Sequence, residues 1–244
     1  MSDGALRDTA VWHNGPMAAP SRPTKSELTR QRILDAAAKI FRSEGYSGAR
    51  LSDIAAAAGI QTGSLYYHFE SREALVEQVL HLGIAVARQH VEEAVGALPS
   101  DATALDRVKA AILAHTEVQL EISDYSSAHA RIIGQVPADV RRRNLVDQIN
   151  YGEYWDALLK AAVSAGQIRD DLDLYVARML MFGALNWTSE WFRPRAGRSA
   201  QLVADQALAI LLHGVEVARA EPIRVAPRRH VNGRRPPTKS ERRG

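Results

Sequence analysis

The sequence contains no cysteine, which removes disulfide frameworks, thiolate metal sites and cysteine nucleophiles at one stroke. It has no apolar run near the roughly 20 residues that a bilayer-crossing helix needs; the longest candidates are 179–185 and 207–212. No membrane partner is therefore expected. Residues 1–20 lack the apolar centre of a secretory signal and carry Asp3 and Asp8, so a cytoplasmic location is expected. Enzyme signatures are missing as well: there is no GxGxxG, no Walker A, no HExxH and no serine elbow flanked by glycines. His115, His129 and His213 stand isolated on helical segments and read as packed or exposed side chains rather than metal ligands. No enzymatic activity, metal or cofactor is expected. Alternating β-branched runs between turn signals are absent too, which excludes a sheet.

What is present is enough apolar material to bury a core: 46% of 244 residues. Charge is spread unevenly. The segment 219–244 holds nine Lys and Arg against two Glu, while the whole chain is only +3. The high isoelectric point thus comes from this basic tail and does not by itself make the folded body a nucleic-acid binder. The tail is expected to be disordered, either adding non-specific DNA affinity or serving as a solubilising appendage. Residues 1–22 mix Gly, Pro, Ala and Ser without periodicity and read as a disordered arm. Pro23–Glu27 recurs as Pro237–Glu241, five residues being too few for a structural repeat.

Between these ends the apolar spacing is helical throughout. Ile33, Ala37, Ile40 and Phe41 mark a first helix that Gly45 stops. Leu51, Ile54, Ala55 and Ala58 mark a short second one closed by Gly59, and Thr62 to Phe69 a short third. Ser71 is a good N-cap for a long fourth, with Glu73 in its first turn. Ser100-Asp101 reads as the next start signal, and further helices are expected at about 102–123, 126–135, 138–166, 171–193 and 199–218. The fold class is all-α, with about nine helices.

Residues 51–69 form a helix, a glycine-containing turn and a second helix whose apolar residues Leu65 and Phe69 lie four apart. That second helix would expose Gln61, Thr62, Gly63, Ser64, Tyr66, Tyr67 and His68, all short or hydrogen-bonding and none acidic. Gly63 would permit close backbone approach, and the free N–H groups of the first turn favour a phosphate. A short helix pair of this kind also occurs in ordinary bundles, where paired tyrosines are core packing.

The strings Asp53-Ile54-Ala55, Ala58-Gly59-Ile60, Gly63-Ser64-Leu65-Tyr66-Tyr67-His68-Phe69 and Ser71-Arg72-Glu73-Ala74-Leu75 closely resemble the N-terminal domain of the TetR family. The resemblance implies a helix-turn-helix DNA-binding domain over 23–70 and a helical ligand-binding and dimerisation domain over 71–218. It implies that Gln61, Thr62, Ser64, Tyr66, Tyr67 and His68 face the major groove or its phosphates. Arg72 stands where the family usually has a phosphate-binding lysine, keeping the charge and adding a fork geometry. Ala49 and Arg50 replace hydroxyls that commonly enter the second helix, and Gln61 replaces a common serine cap; Ser52 and Thr62 substitute, or Arg50 supplies a phosphate contact. A palindromic double-stranded operator follows, because one short helix reads too few bases and a twofold homodimer sets two heads about 34 Å apart. For the interface, Val203, Ala207, Ile210, Leu211 and Gly214 form an apolar stripe that either meets a partner or packs on its own core.

On the ligand side Leu180, Ala184, Trp187 and Trp191 share one helical face, with Arg178, Asn186 and Arg193 nearby in sequence. Aromatic walls with few polar groups suit a small-molecule pocket, although helical tryptophans are also core or interface anchors. Asn186-Trp187 followed by Trp191-Phe192-Arg193-Pro194 resembles the TetR subgroup that senses acyl-CoA thioesters and controls lipid, steroid or related catabolic genes. That resemblance implies an apolar tunnel for the acyl part and arginines such as Arg131, Arg141 or Arg178 on the CoA phosphates, with coupling through the fourth helix. Two other readings remain at this point: a regulator sensing a different hydrophobic molecule, as efflux regulators do, and a helical protein-interaction module without DNA binding.

Overall fold

A computed structural model describes residues 23–193, 197 and 199–215, with only the backbone of 213–215. The arm 1–22 and the basic tail 219–244 lie outside the described residues, as does the His213 side chain. Ten α-helices and no β-strand form among the described residues: α1 Lys25–Gly48, α2 Leu51–Ala57, α3 Thr62–His68, α4 Arg72–Gly96, α5 Ala104–Glu117, α6 Asp124–Ile132, α7 Ala138–Arg143, α8 Leu145–Ser164, α9 Leu174–Trp191 and α10 Ala200–Val215. No described helix is long and apolar enough to cross a membrane.

Local chemistry explains the boundaries. Thr24 and Glu27, two residues of the repeated pentapeptide, form a reciprocal capping box at the start of α1. Gly45 leaves helical geometry at φ 72°, a value that costs glycine nothing, and so ends the regular part of α1. Ser71 caps α4, its hydroxyl accepting from the Ala74 N–H at 3.0 Å. The start of α5 falls not at Ser100-Asp101 but at Thr103, where Asp106 closes a second capping box. The expected helix over 102–123 ends early because Val118–Ile122 forms a π-turn. The expected helix over 138–166 is interrupted at Asn144, whose buried side chain bonds His129, Asp147 and Gln148 instead of leaving the backbone undisturbed. That break makes ten helices where about nine were expected.

Two large apolar cores and one small cluster result. The first joins α1, α2, α3, the first half of α4 and α6 around Ile33, Phe41, Ile54, Leu65, Leu75 and Ile132. The second joins the rest of α4 to α5, α8, α9 and α10 around Val91, Ile112, Trp155, Leu159 and Leu185. α4 therefore runs through both cores, and α6 packs on both α1 and α4. The α4–α6 crossing is close enough to demand glycine at 83, where a Cβ would sit 2.6 Å from the Tyr125 carbonyl oxygen and from His129 Cβ.

Candidate nucleic-acid interface and ligand cavity

α3 is anchored by one apolar edge. Leu65 and Phe69 are buried, whereas Gln61, Thr62, Gly63, Ser64, Tyr66 and Tyr67 are exposed and His68 is half-buried. Tyr67 is 84% exposed, far more than a tyrosine retained for packing would be. Gln61 makes no side-chain cap bond. Ser52 and Arg50 are exposed at the start of α2, with the Ser52 hydroxyl 3.3 Å from the neighbouring Asp53 carboxylate. The solvent-facing surface of α3 is thus polar, as is the exposed start of α2.

Two arginines hold that surface in place. Arg30, on α1, donates to the His68 carbonyl at 2.9 Å and stacks 4.2 Å over the Phe69 ring, so it closes the end of α3. Nothing in the local pattern marks Arg30, which meets α3 only through the fold. Arg72 donates to the main-chain carbonyls of Tyr46 and Ala49 and lies 4.2 Å over the Tyr46 ring. The side chain expected at a phosphate is thus engaged within the protein, clamping the turn between α1 and α2. The planar fork suits this work better than an ammonium.

A cavity of about 390 Å³, within the range of small-molecule sites, lies between α4, α5, α6, α8 and α9. Ile84, Ala87, Val118, Met179 and Phe182 supply apolar wall, and the exposed residues Leu145, Ile149 and Tyr175 mark its open side. At its polar end His115 Nε2 lies 3.1 Å from Asn186 Oδ1 and His115 Nδ1 lies 2.9 Å from the Tyr151 hydroxyl. A neutral imidazole satisfies both contacts by donating to Asn186 and accepting from Tyr151, which leaves the Asn186 amide N–H groups for a ligand carbonyl. Tyr151, Trp155 and Phe182 surround His115, with ring centroids 5.4–6.0 Å from it.

Burial pushes the pKa of His115 down to about 4 against a small opposing effect from Asn186, and burial does the same to His129 on the cavity wall. Both are neutral at pH 7. The unfolded chain would take up these protons near 6.5, so between pH 6.5 and 4 it binds more protons than the native state, and stability falls as pH is lowered. Thermal melts should show little contribution from these groups above pH 7 and a decline below 6.5 that is shallower in His115→Gln than in the natural protein. Equal slopes would remove the buried imidazole as a cause.

Of the residues expected to bind ligand, the structure brings Arg178 and Asn186 to this cavity. Arg178 pairs with Asp156 at 2.7 Å and lies against α8 where Gly152 has no side chain; a Cβ there would be 2.8 Å from Nη1. Four others go elsewhere. Trp187 and Trp191 point outward, 64% and 46% exposed, because Met181, Leu185 and Thr188 form the buried edge of α9. Arg131 pairs with Glu190 at 3.0 Å beside a different cavity. Arg141 donates to the carbonyls of Gly134 and Val136 and braces the turn before α7. His115, Tyr151 and His129 complete the site; only their assembly from separate helices reveals them. Among the described residues no group of three or more His, Asp or Glu could hold a metal ion.

The expected interface stripe also divides. Val203 is buried against Leu120, Phe192 and Ala200 of its own chain, and Ala207 and Leu211 are half-buried on the second core. Ile210 is 72% exposed. The backbone of Gly214 belongs to α10, and its surroundings lie outside the described residues. The larger unpartnered face comprises Val176, Leu180, Trp187 and Trp191 of α9 with Leu202 and Ile210 of α10.

Comparison with known proteins matches residues 33–79 to the family model "Bacterial regulatory proteins, tetR family" and 101–215 to "Tetracyclin repressor-like, C-terminal domain". The HTH-type transcriptional repressor KstR2 of Mycobacterium tuberculosis is 30% identical over 196 residues, covering 76% of this chain and 92% of that protein. The solved structure of the ketosteroid transcriptional regulator KstR2 from the same species superposes with a TM-score of 0.64 at 26% identity, over 77% of this chain and 94% of that one. AibR, solved with isovaleryl coenzyme A and operator DNA, has a TM-score of 0.67 at 21% identity over 75% and 98% of the two chains, which shows a shared fold.

Proposed function

The chain belongs to the TetR family of transcriptional regulators, and on that premise we propose that it is a homodimeric repressor of a palindromic operator whose affinity is set by an acyl-CoA thioester. The observation that carries this reading is a single one: α3 buries Leu65 and Phe69 and turns Thr62, Ser64, Tyr66 and Tyr67 to solvent, in a head whose core shares α4 with a largely apolar cavity open on one side. Base contacts would come from that polar face, and phosphate contacts from it together with Arg50 and Ser52. Homodimer formation is assigned to the exposed apolar face of α9 and α10, since an uncovered patch with two tryptophans marks an interaction surface. The AibR complex with isovaleryl coenzyme A and the ketosteroid-linked name of KstR2 support a thioester with an apolar acyl or ring body. Its carbonyl would meet the Asn186 amide, and its CoA portion would leave through the open side near Arg178. Ligand affects DNA only through its different affinity for two arrangements of the heads, and α4, common to both cores, is the element that can differ between them.

The test is fluorescence anisotropy of DNA from upstream of the chain's own coding region, titrated with protein in the presence and absence of CoA thioesters of different acyl groups. Saturation at an even number of protomers per site and a thioester-dependent change in affinity are expected. Failure of every thioester to change it, with binding intact, would point to a different hydrophobic effector; failure to bind DNA would remove the regulator reading.

A further inference from the structure

A second cavity, of about 340 Å³, lies where the DNA-binding head meets the rest of the protein, and its chemistry is opposite to that of the first. Arg42 of α1, Arg131 of α6 and Arg193 just past α9 line it, together with the hydroxyl residues Ser43, Ser127 and Ser189. Three guanidinium groups meet only two carboxylates there: Arg42 pairs with Asp124 at 2.6 Å and Arg131 with Glu190 at 3.0 Å. Arg193 has no acidic partner among the described residues and spends one N–H on its neighbour's carbonyl, Phe192 O, at 2.7 Å. Among the described residues the Nε of Arg131 is buried without any hydrogen-bond acceptor, a state that usually signals a missing partner.

We propose that this cavity is a second ligand site, for a phosphate or pyrophosphate group, distinct from the effector cavity. An excess cation and several forked N–H groups with free donors are what a multiply charged oxyanion needs, and an apolar guest would leave those donors unmatched. Leu120 and Phe192 complete the wall, and the three serine hydroxyls already donate to main-chain carbonyls, so the guanidinium groups carry the site. The open side of the effector cavity is lined by Leu145, Ile149 and Tyr175, whereas this site lies beside Ser189 and Arg193, at the other end of α9. A molecule seated in the first cavity with its head at that opening therefore does not reach the second. The anion would bridge α1, α6 and the end of α9, and would tie the DNA-binding head to the body. Gln119, in the π-turn, borders both cavities, so occupancy of one would be felt at the other. The inference stands apart from the thioester reading.

Calorimetric titration of the full chain with pyrophosphate, at ionic strength fixed with chloride, tests it. Saturable binding is expected, weakened about tenfold by Arg193→Gln, the loss of one charge-assisted contact. Arg193 forms no carboxylate pair, so that variant should keep its fold, which circular dichroism checks; Arg42→Gln should weaken binding similarly. Parallel titrations with inorganic phosphate and with coenzyme A separate a free anion from the phosphates of a CoA ester: sensitivity of the phosphate arm to Arg193→Gln supports the site, whereas sensitivity confined to coenzyme A would make this cavity the CoA end of the effector site and overturn the proposal of a separate one. An acyl thioester of N-acetylcysteamine, which has no phosphate, should bind the natural protein and Arg193→Gln equally; if it fails to bind either, the thioester reading falls while this one stands. Pyrophosphate, phosphate and coenzyme A all binding with the same affinity in the natural protein and both variants, or none of them binding, would overturn the proposal.

Discussion

Replacing Tyr66 and Tyr67 together by alanine should lower operator affinity by about a thousandfold while leaving the melting temperature nearly unchanged. The two rings are 54% and 84% exposed, and neither hydroxyl bonds to any of the described residues, so the change belongs to the class of surface substitutions that alter stability by about 0.5 kcal/mol or less. A contact to a base edge contributes about 1–3 kcal/mol. Two residues in each of two heads lose four contacts, and even at about 1 kcal/mol each the sum is about 4 kcal/mol, or three orders of magnitude. The salt dependence separates the two ways a tyrosine can act: its slope stays the same if bases are read and becomes shallower only if cationic phosphate contacts are lost with the rings. Anisotropy at several salt concentrations, paired with thermal melts, reads both quantities. Unchanged affinity in a folded double variant would show that this face of α3 does not meet DNA.

The second large effect is on stability. Gly83→Val places a branched side chain at the point where α4 and α6 cross, and its Cβ would come within 2.6 Å of the Tyr125 carbonyl oxygen. A main-chain oxygen inside a helix cannot swing aside as a flexible side chain can, so α6 must move as a body. That movement would also stretch the 3.0 Å hydrogen bond from the Ser126 hydroxyl to the Gly83 carbonyl. Overpacking costs about 1–3 kcal/mol where a core can partly adjust; with the hydrogen bond added, a loss of roughly 3 kcal/mol or more is expected. Against a total of about 5–15 kcal/mol this is a severe change. Urea denaturation measures it directly, and a loss below about 1 kcal/mol would mean that α6 is free to shift. Because α6 also packs on α1, the same variant should bind DNA less tightly than its remaining folded fraction predicts.

Much of the DNA-binding head was legible because its signals are local. Leu65 and Phe69 at a spacing of four define the buried edge of a short helix, and the polar residues between them have only one side left to face. The Ser71 cap and the stop at Gly45 rest equally on neighbours in sequence. The bracing arginines were not legible: Arg30 acts on the His68 carbonyl 38 residues away, and Arg72 carries a charge that suits a phosphate as well as a pair of main-chain carbonyls. The α7–α8 break at Asn144 was hidden in part for the same reason, since one of the three residues bonded to its side chain, His129, belongs to a different helix.

α9 shows where periodicity gives out. It is apolar around most of its circumference, so its pattern identifies a buried helix without saying which apolar stripe meets its own core. The tryptophans lie on the stripe left outside, and Met181, Leu185 and Thr188 on the one turned in. α10 divides in the same manner between Val203 and Ile210.

The amino-acid sequence alone therefore determined the helical class, the exposed polar face of α3 and the absence of thiol chemistry, because each depends on residue type and on spacing within a turn or two. The fold decided which side chains line the larger apolar cavity and which cations converge beside the head. His115, Tyr151 and Asn186 come from α5, α8 and α9, and Arg42, Arg131 and Arg193 are likewise far apart along the chain. Helical periodicity says which face of each element avoids water, but the choice of which faces meet is made by packing all of them at once.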